Sequence, residues 1–524
     1  MSSKKLSVFG KNHKTVYILL LSVFVAVMPH SRILLSMSEI GLVLLWLIEG
    51  NFKIKFQKLK QSPEVILFIS IFFIHILGLL HTENFSYAFK DLKIKLPVLI
   101  LPVIIASSPE LRKKDIQKIL NIFIISLILK NLYGIFLILR GDIDNPQQLA
   151  GSFSHIRYAL MLNIAAFSGL YFFLFSSSNK KSKILYLITF IWFGIFIFIL
   201  HSVTGWVIFA VLIIFSFVKS ISEQEKNTVK IISALFFVII ISGFSFYIFR
   251  AVTEFYKSDV LIPSELERYT KEGNVYSHNP DSEQKENGHY TNIYICEKEL
   301  KEAWEKRSRI PYYGRDKKNQ PLKQTLIRYL TSEGLRKDKE GVSELSAEDI
   351  RNIENGMTNR IFADKFSLYP KIYEILWQAE RYKSGETPDN KSILQRLEFL
   401  KAGKEIIKRN FWSGVGTGDI KDAYEKQYAD MHSRLSEKHR LRSHNQYITI
   451  FATFGVFGFL WFVFALIYPV VKTKKYKDYL FMISFLTVIL SMFNEDTLET
   501  QMGATIFAFF LSFFMFAEKN ETEK

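Results

Sequence analysis

The chain has 524 residues, of which 49% are hydrophobic and 15% aromatic, and its formal net charge is +17. So many apolar residues, arranged in long uncharged runs, exclude an ordinary soluble globular protein and indicate a chain that crosses a membrane many times. The single cysteine, Cys296, excludes an internal disulfide bond.

About twelve apolar runs approach the roughly 20 residues that a transmembrane helix needs. The first run lacks the small-residue cleavage site of a signal peptide, so we expect it to be retained as a helix. The sequence therefore predicts an all-α polytopic membrane protein with nine helices, a long polar segment and three final helices. The runs lie near residues 15–29, 33–49, 64–81, 94–107, 118–139, 157–176, 183–200, 204–218, 229–249, 446–471, 479–493 and 501–517.

Lysine and arginine residues concentrate in alternate short loops between these runs, as the positive-inside rule requires of cytoplasmic loops. The polar segment 250–443 is nearly neutral, so the charge excess does not form a nucleic-acid-binding surface, and no nucleic-acid partner is predicted. The alternation predicts that both termini are cytoplasmic and that the polar segment lies on the far side of the membrane. We expect three parts: nine helices in 1–249, an extramembrane domain in 250–443, and three helices with a cytoplasmic C-terminus in 444–524.

Three lysines at the far-side end of the fourth run depart from this charge pattern. Lys90, Lys93 and Lys95 lie in the sequence Phe-Lys-Asp-Leu-Lys-Ile-Lys. They are either anchors whose ammonium groups snorkel to the bilayer surface or a cationic rim that binds phosphate.

An arginine marks the far-side start of the sixth run. Arg157 lies in the sequence Gly-Ser-Phe-Ser-His-Ile-Arg-Tyr, which begins at Gly151. An arginine near the membrane boundary is costly unless it is paired or faces a wet cavity. We interpret it as a candidate ligand for an anion, with snorkelling as the alternative.

The polar segment has several stretches with apolar residues at helical spacing, which predict a small helical cap with little strand. Ser346 followed by Asp349 is typical of a capped helix start. The middle of the segment, residues 250–380, carries no motif that points to a chemical role.

Arg396 and Leu400 are four residues apart near the end of this segment, so they share one face of a helix. Leu400 is expected to help bury the helix while Arg396 projects at its edge. The planar guanidinium of arginine keeps its charge and suits phosphate oxygens. The alternative is a solvated arginine, or one paired with Glu398 or Glu405.

Three alternating glycines follow, Gly414, Gly416 and Gly418, within Asn410–Asp419. Alternating glycines allow close backbone approach and expose amide groups. The spacing is not that of a Walker loop, because no Gly-Lys-Ser/Thr follows. A tight structural turn is the favoured interpretation.

The sequence Arg-Ser-His-Asn-Gln at residues 442–446 lies where the polar segment re-enters the membrane. His444 is placed to act as a general base near neutral pH, and Arg442 is placed to bind an anionic substrate. The alternative is a structural histidine at a helix start. His432, His439 and His444 lack partners at metal-ligand spacing, so no metal site and no cofactor are predicted.

These residues resemble the signature of the O-antigen ligase family. His444 and Asn445, nine further residues, and then Gly455-Val-Phe-Gly458 match its His, small polar residue, nine residues and Gly-x-x-Gly. Such a small-residue pair also permits close helix packing.

The resemblance extends to other segments. Arg396 with Leu400 resembles the family's Arg-x-x-x-Leu motif, and the glycine run looks like its Gly-x-Gly-x-Gly segment. Asn494–Gly503 is similar to the acidic last far-side loop of some members. The match is strong over roughly residues 390–517 and topological elsewhere.

The resemblance implies a metal-independent, inverting glycosyltransferase of the bacterial inner membrane with a periplasmic active site. The donor would be a glycan on undecaprenyl diphosphate, the acceptor a hydroxyl of lipid A–core, and membrane lipids would surround the chain. It implies catalytic roles for His444 and Arg396. It implies diphosphate binding by Arg157, with Lys90, Lys93 and Arg442 as further candidate cations.

One departure concerns the start of the eighth run, Ser202–Trp206, where relatives are expected to have an arginine. If that arginine binds the diphosphate in relatives, another cation must replace it in this chain. Lys90, Lys93 and Arg157 are the candidates.

Two other functions remain open. An O-antigen polymerase or a protein O-oligosaccharyltransferase of the same superfamily would share the architecture and differ in the acceptor. A transporter or flippase would instead require related halves and substrate residues at mid-membrane. The polar candidates cluster on the far side, with Lys130 in the fifth run as the exception.

Overall fold

A computed structural model describes residues 3–518 except 144, 152, 177–178, 223–226, 283, 365–366, 384, 386 and 390–391. The chain forms two compact units, Met1–Gln224 with Pro388–Lys524 and, inserted between them, Glu225–Thr387. Each of the twelve predicted apolar runs coincides with a helix of the structure. The prediction of a mainly helical chain with several candidate membrane spans is therefore confirmed.

The first unit begins with nine helices. Several start at polar side chains that cap free backbone amides: Ser31, Asn84 and Ser154 accept hydrogen bonds from Leu34, Tyr87 and Ile156, respectively. The helices are α1 (Ser3–Val27), α2 (Arg32–Glu49), α3 (Phe52–Gln61), α4 (Pro63–Leu77), α5 (Phe85–Ser107), α6 (Lys113–Arg140), α7 (His155–Phe175), α8 (Lys180–Ile199) and α9 (Val203–Ser222).

The second unit contains one long helix, a short antiparallel hairpin and five shorter helices. Ser346 and Asp349 form a reciprocal capping box at one helix start, as the sequence predicts. A buried core forms around Trp304, Tyr312 and Tyr329. The elements are α10 (Asn227–Tyr256), β1 (Lys285–Glu286), β2 (His289–Tyr290), α11 (Glu297–Glu305), α12 (Leu322–Ser332), α13 (Lys339–Glu344), α14 (Ala347–Glu354) and α15 (Tyr369–Lys383).

The chain then returns to the first unit. The predicted extramembrane domain 250–443 is thus divided between the two units, because residues 388–443 pack with the apolar helices. The remaining helices are α16 (Ser392–Arg409), α17 (Ile420–Asp430), α18 (Gln446–Lys472), α19 (Tyr479–Met492) and α20 (Gln501–Phe516).

Six helices among the described residues are long and apolar enough to cross a membrane, namely α4 with its 3-10 extension, α6, α7, α8, α9 and α18. A seventh span exists if the sharply bent pair α2 and α3 counts as one. The 14 residues of α19 span about 21 Å, less than the roughly 30 Å of a hydrocarbon core. Helix length and apolarity therefore identify six or seven candidate spans, against the twelve predicted.

Helix α20 forms the centre of the first unit. Its residues from Met502 to Met515 are all buried, and it packs against α5 and α19. A helix that is apolar on every face is a core helix. The loop that precedes α20, residues 493–500, is thereby held against α5.

Helix α18 is interrupted at Gly455, whose φ of +65° and ψ of −169° are not helical. The amide of Val456 donates instead to the carbonyl of Phe411 at 2.8 Å. Gly414 has a φ of +70°, and the amide after it, that of Val415, donates to Ala452 at 3.0 Å. The glycine turn 410–419 therefore docks against the break in α18.

Replacing Gly455 by alanine should destabilise the fold. A Cβ there would lie 2.2 Å from the carbonyl oxygen of Trp412, and the positive φ disfavours any side chain. We expect Gly455→Ala to lower the free energy of unfolding by about 2 kcal/mol or more. The measurement is the thermal unfolding temperature of the purified protein.

The matched control is Gly41→Ala, also in a helix. A Cβ at Gly41 would make only an ordinary contact, 3.7 Å from Leu20, so this variant should unfold at or slightly above the wild-type temperature. Equal stability of the two variants would contradict the role given to the break in α18.

Candidate functional site

Every residue of the sequence Arg442–Gln446 contacts the loop 493–500. Arg442 and Gln446 donate hydrogen bonds to Glu499 at 2.7 and 3.2 Å. Ser443 donates to Asp496 at 3.4 Å, and His444 lies 3.7 Å from Glu495. Asn445 donates to the carbonyl of Phe493 at 2.9 Å. The two segments therefore form one polar junction at the start of α18.

His444 has a positive φ of +49°, a conformation in which histidine is enriched among non-glycine residues. The following Asn445 caps α18, accepting from the amide of Ile448 at 3.1 Å. The imidazole stacks on Phe399 of α16, with ring centroids 5.4 Å apart. Its Nδ1 is buried and lies 3.7 Å from Oε1 of Glu495, within ion-pair range but longer than a hydrogen bond.

Glu495 joins residues from three parts of the first unit. Arg157, at the start of α7, donates to its Oε2 at 3.3 Å, and Arg396, on α16, lies 3.5 Å from its Oε1. Together with His444, these residues place three nitrogen-bearing side chains around one carboxylate. The side chains of Arg396 and His444 remain 28% and 31% exposed, so both can reach a ligand.

Both arginines have a second anchor in the same loop. Arg396 donates to Oδ1 of Asn494 at 2.7 Å, and Nε of Arg157 donates to Oγ1 of Thr500 at 2.8 Å. Asn494 in turn donates to Thr204 at the start of α9, at 2.5 Å. The segment in which relatives are expected to carry an arginine therefore borders this cluster.

Glu499 forms a second, more deeply buried centre. It accepts from Lys95 of α5 at 2.8 Å and from Arg442 at 2.7 Å, and Lys95 also pairs with Asp91 at 2.6 Å. The Lys95 side chain is 2% exposed. Arg442 is the more exposed member of this centre, with 20% of its side chain accessible, and the contacts hold the loop between α5 and α18.

The two lysines of α5 that are candidate phosphate ligands lie on its exposed face. Lys90 and Lys93 are exposed, and neither ammonium group has an ion pair within the described part of the chain. The buried lysine of this helix is Lys95, because α5 turns that face toward α20 and the acidic loop. The sequence alone does not distinguish Lys95 from Lys90 and Lys93, because all three lie in one basic run.

Leu400 is only partly buried. Phe399, Ala402 and Ile406 are the residues that bury α16. Their spacing of three and four residues forms the apolar stripe of that helix. Arg396 pairs with neither of the glutamates considered from sequence, since Glu398 contacts Lys401 and Ser433, and Glu405 contacts Lys408.

The glycine run makes a structural turn. The amides of Gly416 and Gly418 donate to Thr453 and Thr82 at 2.9 and 3.1 Å. These groups are satisfied by the protein, so they offer no cradle for a phosphate. Gly458 lies just beyond the break in α18, and a Cβ there would meet Phe454 at 2.3 Å.

Lys130 on α6 has a structural role. Its ammonium group donates to the carbonyl oxygens of Pro29 and Ala150 at 2.6 and 2.9 Å and faces the rings of Phe153 and Tyr158. It thereby joins loop backbone to α6 and α7, far in sequence from the His444 cluster. The neighbouring Ser152 lies outside the described residues.

Comparison with known protein families identifies the segment that carries most of this cluster. Residues 356–463 match the family model described as O-antigen ligase. The match confirms the resemblance to the O-antigen ligase family over this segment. A search of curated proteins found no match.

The matched segment contains Arg396, the glycine turn, His444 and the Gly455–Gly458 pair, whereas Arg157 and the acidic loop lie outside it. Sequence reasoning named the acidic loop as similar to relatives but did not select its carboxylates. The available signal was charge balance: two Glu and one Asp beside a membrane helix require buried cations as partners.

Electrostatics keeps Glu495 ionised. Burial alone would raise the pKa of this carboxyl, but its interaction with His444 and the charges of Arg157 and Arg396 outweigh burial and lower the pKa. Burial lowers the pKa of Arg396, and Glu495 opposes that shift. The loop therefore presents a fixed negative charge that orients two arginines and a histidine.

The pH dependence of stability should report this arrangement. The folded-state pKa of Glu495 lies below its unfolded value. Its contribution to the free energy of unfolding is therefore complete above about pH 4.3 and is lost as pH falls through the folded pKa. Glu495→Gln should unfold at a lower temperature than wild type at pH 7, and this difference should shrink below pH 4.3.

The control is Glu83→Gln, which removes an exposed glutamate of the same unit. It should unfold at the wild-type temperature across the range. A Glu495→Gln protein that matches wild type at pH 7 would show that the carboxylate does not organise the cluster.

Proposed function

We propose that this O-antigen ligase-domain protein transfers a glycan from undecaprenyl diphosphate to a hydroxyl of lipid A–core. The observation that carries the proposal is the convergence of Arg157, Arg396 and His444 on Glu495. Fixed cations beside a histidine are what a displacement reaction with a diphosphate leaving group requires.

The two arginines would hold the diphosphate. A guanidinium has five N–H donors, and Arg396 commits only part of them to Asn494 and Glu495. Its remaining donors and its partial exposure suit bidentate binding of a phosphate. Positive charge fixed at this place lowers the energy of the transition state, in which negative charge develops on the leaving oxygen.

His444 would act on the acceptor. With Nδ1 facing Glu495, Nε2 is the nitrogen available to a sugar hydroxyl. In the proposed step the hydroxyl oxygen attacks the anomeric carbon and its proton passes to Nε2. The bond from that carbon to the diphosphate oxygen breaks, and undecaprenyl diphosphate departs with the electron pair. The attack opposite the leaving group inverts the anomeric centre, and Glu495 stabilises the imidazolium.

The reaction as proposed uses no metal ion. Among the described residues, no three His, Cys, Asp or Glu side chains are grouped so as to hold one. The arginine side chains supply the charge that the diphosphate needs, and they do so at any physiological pH because guanidinium does not lose its proton.

The membrane arrangement belongs to the same proposal. The chain would lie in the bacterial inner membrane with about twelve crossings, both termini cytoplasmic and the His444 cluster on the periplasmic side. Helices α1, α5, α10, α19 and α20 would supply the remaining crossings. The basic loops between alternate apolar runs support this orientation.

Both predicted catalytic residues should be essential. We expect His444→Ala to reduce transfer about 10²–10⁴-fold, the usual contribution of a general base. Arg396→Ala should reduce it about 10²-fold or more through lost stabilisation of the leaving group. The measurement is glycan transfer by purified protein from a polyprenyl-diphosphate donor to lipid A–core, at equal protein abundance.

Arg409→Ala is the matched control, because Arg409 lies on the same helix α16, is 56% exposed and pairs with Asp430. It should transfer at the wild-type rate. Full activity of His444→Ala or of Arg396→Ala would contradict the assignment of the site.

A more conservative change tests how Arg396 binds. Arg396→Lys keeps the charge but loses the planar fork that contacts two acceptors at once. We expect it to recover only part of the activity lost in Arg396→Ala. Wild-type transfer by the lysine variant would show that a point charge suffices and that bidentate contact is not used.

The acceptor is tested in a host that lacks the gene, by lipopolysaccharide gels and glycoprotein staining after complementation with wild type or His444→Ala. The proposal predicts that the variant retains lipid A–core and lacks every O-antigen band. Core bearing a single repeat would indicate a polymerase instead. Unchanged lipopolysaccharide with loss of glycoproteins would indicate a protein O-oligosaccharyltransferase.

A further inference from the structure

The second unit contains a large polar cavity that the proposed reaction does not use. Its volume is about 1270 Å³, above the roughly 300–1,000 Å³ of pockets for small molecules. The end of α10, the β1–β2 hairpin, α12 and α15 line it. Most of these elements precede residue 356, where the O-antigen ligase match begins, so the cavity is largely formed by a segment outside that family domain.

A buried carboxylate builds one wall of this cavity. Glu286 is 3% exposed and accepts hydrogen bonds from Arg328 at 2.6 Å, Asn359 at 2.8 Å and Tyr373 at 3.3 Å. The carboxylate thereby links β1, α12, α15 and the segment between α14 and α15. The arginine is held in a fixed position while its side chain remains 30% exposed.

Two arginines lie near one aromatic ring beside this wall. The guanidinium carbons of Arg328 and Arg381 lie 5.4 and 4.9 Å from the ring centroid of Trp377. A second cavity of about 510 Å³ shares Glu286, Arg328, Tyr373 and Trp377 with the first. The two cavities are therefore adjacent, as in a cleft that accommodates an extended chain.

Among the described residues, the lining carries an excess of positive charge. The carboxylates in this described part of the lining pair within the unit: Glu286 with Arg328, Glu297 with Lys323, and Glu380 with Lys383. Its cations are Lys257, Lys285, Lys323, Arg328 and Arg381. Lys257 is exposed, and Lys285 contacts a hydroxyl and the ring of Tyr290 rather than a carboxylate.

We propose that this cleft binds a segment of an anionic glycan, one whose sugars carry carboxylate or phosphate groups. Guanidinium and ammonium groups would bind the anionic substituents, amides and hydroxyls such as those of Gln324, Asn292 and Thr291 would bind sugar hydroxyls, and Trp377 offers a planar apolar edge. The choice of a glycan rests on the proposed function, whereas the preference for negative charge rests on the lining itself.

The test uses full-length protein in nanodiscs and two fluorescent probes of equal length, octagalacturonate and neutral malto-octaose. Fluorescence anisotropy gives Kd for wild type, for Lys257→Glu/Lys285→Glu, and for the control Lys298→Glu, an exposed lysine of the same unit outside the cleft. Thermal unfolding verifies that all proteins are folded.

We expect wild type to bind octagalacturonate at least about tenfold more tightly than malto-octaose, and the double variant to lose about tenfold in affinity for octagalacturonate, equivalent to 1.4 kcal/mol. Lys298→Glu should change Kd less than about twofold. Absence of octagalacturonate binding, equal binding of both probes, or equal affinity of the double variant and the control would overturn the proposal.

Failure of the proposed function would be visible separately. His444→Ala should bind octagalacturonate as wild type does, because His444 is outside the cleft. A wild-type protein that binds the anionic probe but transfers no glycan would refute the transferase proposal and leave the cleft assignment intact.

Discussion

A buried carboxylate must be paired with cations or hydrogen-bond donors, since its desolvation is otherwise too costly. The loop 493–500 places Glu495, Asp496 and Glu499 at the boundary of the helical core, all less than 9% exposed. Lys95, Arg157, Arg396 and Arg442 come from four different parts of the first unit to balance that charge. The need to neutralise this loop is therefore what brings the functional side chains together.

The rest of the first unit holds the loop in place. Helix α20 is buried throughout and begins directly after the loop, so the loop cannot move without disturbing the core. The glycine turn packs against the break at Gly455 in α18, the helix that His444 precedes. Such support from packed elements keeps reacting groups within the narrow geometry that catalysis demands. Two centres result: a more deeply buried one at Glu499 and one at Glu495 whose partners Arg396 and His444 are partly exposed.

Apolar runs, motif spacing and charge alternation predicted the helices and most of the cluster, including Arg157, Arg396, Arg442 and His444. Local patterns succeed there because helix periodicity and capping are encoded within a few residues. The carboxylate partners were not predictable in the same way, because Glu495 meets Arg157 across 338 positions of the chain. Lys90, Lys93 and Lys95 are equivalent by composition, and only the packing of α5 against α20 shows that Lys95 is the buried one. The cavity around Trp377 is likewise formed by elements whose sequences carry no shared motif.

The most direct test of the account is a cryo-EM structure of the protein with undecaprenyl diphosphate bound. The account predicts phosphate oxygens about 3 Å from the guanidinium groups of both Arg157 and Arg396, with space for an acceptor hydroxyl beside Nε2 of His444. A diphosphate bound elsewhere, for example by the exposed Lys90 and Lys93, with both arginines still paired only to Glu495, would contradict it.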